Sequence, residues 1–368
     1  MVRVLHALGR MNMGGIESFI MNVYRAIDRG RVQFDFLVSA RDNKWEPDIK
    51  ALGGRIYYIP PRNESLSAYR KNVDRFFSEH ASEYGAVHVH VSSLSSVYIL
   101  KAAGKHGIRT RIIHGHSTGI KGSSLHYLLH WSNKPRLSRL ATHCFACSDK
   151  ARRWLFAGTA CLSGSEIINN GIITDDFTYN PQKRLQARRM LGIGDDIIAV
   201  CHVGSFIKVK NHDFLLDIFG KLKALDERYV LFLVGDGPLR PMIEEKAAAL
   251  GLEDSVVMLG LRDDVSLLMQ GFDCLVFPSL FEGLPVTLVE AQASDLKVVC
   301  SDTISRMAAI SDDIRFVSLN TSPSEWARII DGRIGDGNRK NNSELIRRAG
   351  FDIHAIADRL QKLYVADA

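Results

Sequence analysis

The feature that most constrains this chain is an alternation that runs its whole length. Thirteen short β-rich runs are separated by longer stretches with helical apolar spacing. In the first half the runs cover 2–8, 33–39, 54–60, 86–92, 110–116, 143–148 and 166–171. In the second half they cover 197–205, 229–237, 255–260, 274–279, 296–302 and 314–319. Strand–helix alternation of this kind builds βαβ units and parallel sheets. Thirteen strands exceed one sheet of usual size, so the expected fold class is α/β, with two doubly wound, Rossmann-like parallel-sheet domains. The length of 368 residues agrees, at roughly 150 residues per domain.

The alternation breaks over 172–195, where Asp, Asn, Pro and Gly cluster. The expected domains are therefore 1–173 and 174–350. The segment 351–368, helical in its apolar spacing over 351–364, is expected to return and brace the first domain. No apolar run reaches the roughly 18 residues of a membrane span. The N-terminus is too short in its apolar part for a signal peptide and lacks a small-residue cleavage site, so a cytoplasmic location is expected. The six cysteines lie at 144, 147, 161, 201, 274 and 300. Only Cys144 and Cys147 form a C-x-x-C, within an apolar strand that turns them to opposite faces, so core thiols in a reducing compartment are expected.

The net charge of +6 is unevenly spread. Residues 1–173 hold 24 Lys+Arg against 12 Asp+Glu, while 174–368 hold 23 against 29. A basic half points to an anionic partner such as a membrane surface; no nucleic-acid-binding signature accompanies it. In 123–140, Tyr127 and Trp131 lie four apart with Lys121, Lys134, Arg136 and Arg139 around them, a pattern suited to an anionic headgroup layer.

Ligands of open α/β sheets sit beyond the carboxyl ends of strands. Four loops qualify. The first, GRMNMGGIE, sets Gly14 and Gly15 before a helix whose exposed amides suit a phosphate. It does not match the dinucleotide fingerprint G-x-G-x-x-G. The second, HGHSTG, puts His114 and His116 on one strand face; a hydrogen-bonded pair at a sheet edge explains them, and no nearby carboxylate suggests a metal cluster. The third, HVGSFIKVKNH, presents Lys208 and Lys210. The fourth, SLFEGLPVTLVEAQAS, carries Glu282 ahead of a helix, with Pro285 at an early helical position, and Glu290 within it. That helix is apolar nearly all round and should be buried, yet a buried carboxylate is costly unless something pairs with it. Glu282 and Glu290 stand about 10 Å apart along the axis, too far for an acid/base dyad but suited to two ends of a nucleotide sugar. A vicinal diol is a natural bidentate partner for a carboxylate.

The E-x7-E of FEGLPVTLVE, with MNMGGIE, HVGSFIKVKNH, LVGDGP and MLGLRDDV in order, resembles the family 4 retaining glycosyltransferases of GT-B fold, especially bacterial members that build capsule and exopolysaccharide. The resemblance implies two domains facing a central cleft, the first for the acceptor and the second for the donor. It implies that Glu282 holds donor-sugar hydroxyls with backbone amides around Gly283, Leu284 and Pro285. Glu290 would bind the ribose diol, Lys210 the diphosphate, and Leu261 and Arg262 the base through their backbone. Gly14 and Gly15 would offer an amide from the first domain, and His116 would contact the donor sugar near the reacting carbon. One departure is Ser205, which stands where the family usually has Arg, with Lys208 nearby as a substitute cation. No D-x-D occurs, so no cofactor or essential metal is expected. The implied reaction moves a hexose or N-acetylhexosamine from a nucleotide diphosphosugar, UDP-linked, to a lipid-linked or oligosaccharide acceptor, at the inner face of the membrane. The alternatives are a GT-B nucleotide-sugar epimerase and a catalytically silent sugar-nucleotide-binding protein.

Overall fold

A computed structural model describes residues 1–12, 14–117, 119, 124–334 and 339–366. Met13, Thr118 and Lys121, which belong to the loops and the basic cluster singled out above, lie outside the described residues. The chain divides into two compact units, Met1–Gly171 with Asp352–Ala368, and Ile172–Phe351.

Among the described residues the first unit holds β1 (Val2–Leu8), β2 (Val32–Val38), β3 (Ile56–Tyr58), β4 (Ala86–Val91), β5 (Thr110–Gly115), β6 (His143–Ala146) and β7 (Glu166–Ile167). They form one parallel sheet in the order β3-β2-β1-β4-β5-β6-β7. The second unit holds β8 (Ile198–Val203), β9 (Tyr229–Val234), β10 (Val256–Gly260), β11 (Cys274–Phe277), β12 (Lys297–Ser301) and β13 (Ile314–Val317), ordered β10-β9-β8-β11-β12-β13 and again parallel. Each strand matches one of the runs read from sequence. The cause is burial on both faces: all seven residues of β2 are buried, and so is all of β11, as parallel strands covered by helices require. The cysteines are free thiols, with Cys144 buried and Cys147 only partly so.

The strand order reverses between β1 and β4 in one unit and between β8 and β11 in the other. At such switch points the loops leave in opposite directions and open a crevice. The helix Ile353–Ala366 packs on the helix Gly15–Ala26 and on β1 and β2. It buries Tyr364, and Gln361 accepts a hydrogen bond from the Asp28 amide at 2.9 Å.

Buried charge in the first unit shows how the fold treats a structural carboxylate. Asp35, in the middle of β2 and fully buried, takes hydrogen bonds from Arg3 Nε at 2.8 Å, the Arg55 amide at 2.8 Å and Tyr84 Oη at 3.0 Å, with Arg3 Nη2 a further donor. Every lone pair that burial strips of water is given a donor.

Candidate functional site

In the second unit the loops after β8 and β11 flank the switch point. The loop after β8 is held by backbone rather than side chains. Gly204 donates to the Val234 carbonyl at 2.9 Å, and Phe206 donates to the Asp236 carbonyl at 2.9 Å. Only glycine fits at Gly235, whose φ is +135° and where a Cβ would lie 2.1 Å from the Gly204 oxygen. A Cβ at Gly237 would meet the Phe206 backbone at 2.6 Å. The glycines of LVGDGP thus let two loops pack main chain to main chain. A Cβ at Gly204 would press on the Lys210 stem at 3.1 Å, so this glycine also gives the lysine its path.

Lys210 Nζ forms an ion pair with Glu282 Oε1 at 2.7 Å and sits 4.6 Å from the centre of the Phe277 ring. Both side chains of the pair are largely buried, at 15% and 19% exposure. The structure therefore brings together the two residues assigned to diphosphate and to sugar hydroxyls. Lys208 and Ser205 are exposed on the same loop. Beyond Glu282, the helix Val286–Ala293 begins, with Pro285 as its N-cap rather than inside its first turn. The amides of Gly283 and Leu284, next to Glu282 in the chain, have no acceptor among the described residues, so they remain available to a ligand. Pro285 cannot add to this set, because proline carries no N–H; the expected contribution of its amide is corrected here.

Glu290 answers differently from Asp35. It lies on this helix with Leu288, Val289, Ala291, Gln292 and Ala293 buried around it. No ion pair or hydrogen bond from a neighbouring side chain reaches its carboxylate among the described residues. Burial alone raises its pKa to about 7. A carboxylate so placed and so unpartnered is a vacancy of donors, of the kind that functional sites retain. Leu261 is exposed at 68%. Arg262 is exposed and closes a two-bond pair on Asp264 at 2.7 and 2.6 Å.

In the first unit Gly14 is the N-cap of the helix Gly15–Ala26 and Gly15 its first residue, with open space where a Cβ would stand. The helix start is not bare. The Glu17 carboxylate folds back over it, within 2.4 Å of where a Gly14 Cβ would be, and burial raises its pKa. An anion approaching these amides meets that carboxyl first, which modifies the expected phosphate seat.

His116 follows β5 directly and is half-buried. β5 is an interior strand, which corrects the sheet-edge placement of His114 and His116. The two rings are 4.2 Å apart, and they are part of a larger group: His6 on β1, His88 and His90 on β4, and His114 on β5, all buried. Sequence reading missed His6, His88 and His90. The signal was present, since H-V-H on β4 and H-G-H at the end of β5 each put two imidazoles on one face. Two overlapping groups, His6–His88–His90 and His90–His114–His116, bring nitrogens within 4.8 Å of one another. Most of those nitrogens are already bonded to each other.

A cavity of about 520 Å³ opens at the β1/β4 switch point of the same unit, lined among others by Gly9, Arg62, Tyr69, His90, Ser93 and Ser96. Arg62 is fixed there by Ser95 Oγ at 3.0 Å. Beside it the helix Ser124–Asn133 exposes Leu125, Tyr127, Leu128 and Trp131. Arg136 and Arg139 are exposed. Lys134 is not: it is 5% exposed, donates to the Ala157 carbonyl at 3.1 Å and lies 4.2 Å from the centre of the Trp131 ring. Its place among surface cations is corrected accordingly. Among the described residues no helix is long and apolar enough to cross a membrane.

Two parallel α/β units, the second with Lys210 and Glu282 paired at its switch point, define a doubly wound α/β class whose ligands sit beyond the strand ends. Residues 14–158 match the glycosyl transferase 4-like domain and residues 183–349 match glycosyl transferases group 1. The chain is 36% identical to EpsF of Bacillus subtilis, assigned as a glycosyltransferase, over 98% of this chain and 96% of that one. It is 24% identical to the capsular polysaccharide biosynthesis glycosyltransferase CapH of Staphylococcus aureus, over 100% and 99%. The crystal structure of Anabaena HepE in complex with UDP superposes with a TM-score of 0.78 at 18% identity, covering both chains fully. The fold is GT-B, and the chain belongs to the family 4 glycosyltransferases, as its motifs implied.

Proposed function

We propose that this chain is a retaining glycosyltransferase, specific for a UDP-linked hexose or N-acetylhexosamine, which extends a lipid-linked surface glycan without a resident metal. The observation that carries the reading is the contrast within the second unit. Lys210 and Glu282 are paired beside free amides, while Glu290, on the helix that follows Glu282, is half-buried with no partner. A UDP-sugar supplies what each lacks: phosphate oxygens for Lys210 and the amides, sugar hydroxyls for Glu282, and a ribose diol for Glu290. Solved HepE structures hold UDP with glucose and UDP-glucose. An Escherichia coli relative, 23% identical over 54% of this chain, is a UDP-Gal:alpha-D-GlcNAc-diphosphoundecaprenol galactosyltransferase. Those names support the choice of donor base and of acceptor class.

In this reading an acceptor hydroxyl oxygen bonds to the anomeric carbon as that carbon's bond to the β-phosphate oxygen breaks. The hydroxyl proton passes to the departing phosphate oxygen, and UDP leaves with its charge offset by Lys210, aided by Lys208. Attack from the leaving-group face retains the configuration. The hydroxyl-lined cavity of the first unit is the proposed acceptor pocket. Its neighbour, the apolar face of Ser124–Asn133 with Arg136 and Arg139, is proposed to rest on anionic lipid, bringing the protein to the inner face of the membrane.

The test is incubation with a panel of radiolabelled UDP-sugars, with and without polyprenyl-diphosphate sugars, followed by NMR of the products. Transfer with an unchanged anomer supports the proposal. An inverted anomer refutes retention, interconversion of the donor sugar identifies an epimerase, and UDP binding without slow donor hydrolysis identifies a silent binder, the outcome that Ser205 in place of Arg would favour.

A further inference from the structure

The cavity at the β1/β4 switch point is walled by the loops that leave the carboxyl ends of β1, β2, β3 and β4. β3 and β4 are three strand spacings apart in the sheet, about 14 Å. Arg62 nevertheless reaches from the loop after β3 to Ser95 in the loop after β4. Its Nη1 donates to the Ser95 carbonyl and its Nη2 to Ser95 Oγ at 3.0 Å. Ser93 Oγ donates to the same hydroxyl oxygen at 3.1 Å. The loop after β3 is thereby tied across the sheet end, and the guanidinium is held as part of the cavity wall.

That tie uses little of what Arg62 can offer. A guanidinium carries five N–H donors and no acceptor. Ser95 takes two of them, and the rest meet no acceptor among the described residues. No carboxylate pairs with Arg62 among those residues either. The other half-buried arginines described in this unit are spent on structure. Arg3, Arg55 and Arg152 hold Asp35, Glu83 and Asp149. Arg111 donates to the carbonyls of Leu140, Ile108 and Arg109. A cation drawn half out of water is costly unless something answers its charge, and for Arg62 the protein supplies nothing charged.

The rest of the wall is neutral and hydroxylic. Ser39, Ser93, Ser96 and Tyr69 line it, and each hydroxyl can both donate and accept, as sugar hydroxyls also do. Arg62 differs in offering only donors and a full charge, arranged in the planar fork that fits a carboxylate or phosphate.

We propose that this cavity selects an acidic acceptor, with Arg62 as the specificity residue that binds an oxyanion of the acceptor while the serines and Tyr69 take neighbouring sugar hydroxyls. The proposal rests on the reading of this cavity as the acceptor pocket. Because Ser95 holds the guanidinium in place before a ligand arrives, little rotamer freedom is lost when the oxyanion binds. The oxyanion belongs either to an acidic sugar of the glycan or to the phosphate that joins glycan to lipid.

The experiment is a ligand-observed NMR titration of the full chain at fixed ionic strength. Its probes are methyl glucoside, methyl glucuronide and glucose 1-phosphate; the first two differ only in a carboxylate that replaces a hydroxymethyl group. At least one anionic probe should bind about tenfold or more tightly than the glucoside, as charge-assisted bonds to a held guanidinium predict. A tighter glucuronide places the oxyanion on a sugar, and a tighter glucose 1-phosphate places it on the linking phosphate; either supports the proposal. Arg62→Gln should abolish the preference while the Kd values for the glucoside and for UDP stay unchanged. Arg109→Gln, which removes an exposed cation outside the lining of this cavity, should leave the preference intact. Should the glutamine variant fold poorly, Arg62→Lys repeats the test, since it keeps a charge without the fork and should weaken the glucuronide preference severalfold. Equal binding of all three probes, or a preference that survives Arg62→Gln, overturns the proposal and leaves the acceptor pocket standing. Binding of none of the three by a chain that still binds UDP overturns the acceptor reading of the cavity, and the proposal with it.

Discussion

Replacing Glu290 with Gln should push stability and ligand binding in opposite directions. The carboxylate is half-buried without a compensating donor, and that burial raises its pKa from 4.5 to about 7. A carboxyl whose folded pKa is raised has no effect on stability well below pH 4.5, where both states hold the proton. As pH rises toward 7 the unfolded chain ionises while the folded one resists, and stability falls. The shift corresponds to about 3 kcal/mol, and solvent on the partly open side of Glu290 reduces the expected figure to about 2 kcal/mol. Glutamine removes the charge and keeps the shape. The variant should therefore match the wild type at pH 4.5 and exceed it at pH 8 by about 2 kcal/mol, or roughly 4–8 °C in Tm. UDP binding at pH 8 should weaken about ten- to hundredfold, because the ribose diol exchanges a charged acceptor for a neutral one. Scanning calorimetry across pH and titration calorimetry with UDP measure the two effects. Identical pH–stability profiles for the two proteins would refute the argument that Glu290 is desolvated. A stabilised variant with unchanged UDP affinity would refute the ribose assignment alone.

Glu282→Gln should lower kcat on the order of a hundredfold while UDP affinity holds or tightens, since Lys210 loses its internal partner and turns wholly to phosphate; loss of UDP affinity in titration calorimetry would show the site to be drawn backwards. Gly235→Ala should destabilise the chain by about 2–4 kcal/mol in urea unfolding, because φ of +135° and a backbone oxygen 2.1 Å from the new Cβ leave it no room. Co-sedimentation with vesicles should need anionic lipid and fade with salt, and Arg136→Gln with Arg139→Gln should weaken it about tenfold or more at ~1 kcal/mol per charge. Lys134→Gln should leave vesicle binding unchanged but lower Tm, because that lysine is buried on the Ala157 carbonyl; binding that survives both arginine substitutions would dismiss the basic face.

The strands were legible because parallel strands covered on both faces must be apolar along their length, and β2 or β11 could be read as little else. The site loops were legible from motif spacing, and the oddity of Glu290 from one charge in an apolar helix. What the sequence left open involved distance across the fold. That Lys210 would pair with Glu282, 72 positions later, depends on β8 and β11 being neighbours at a switch point. Lys134 looked like its basic neighbours, and only packing showed it buried. Pro285 and Glu17 fall at helix starts, where one residue of register changes which amides are open.

The histidines divide the question most sharply. By itself the sequence determined that His88 and His90, and likewise His114 and His116, share strand faces, because side chains alternate with a period of two. Only the tertiary structure decided that β1, β4 and β5 lie side by side in that register, so that hydrogen bonds join His6 to His90, His90 to His116 and His88 to His114. Alternation is a local property of the backbone, whereas which strands adjoin is settled by the burial of a whole sheet.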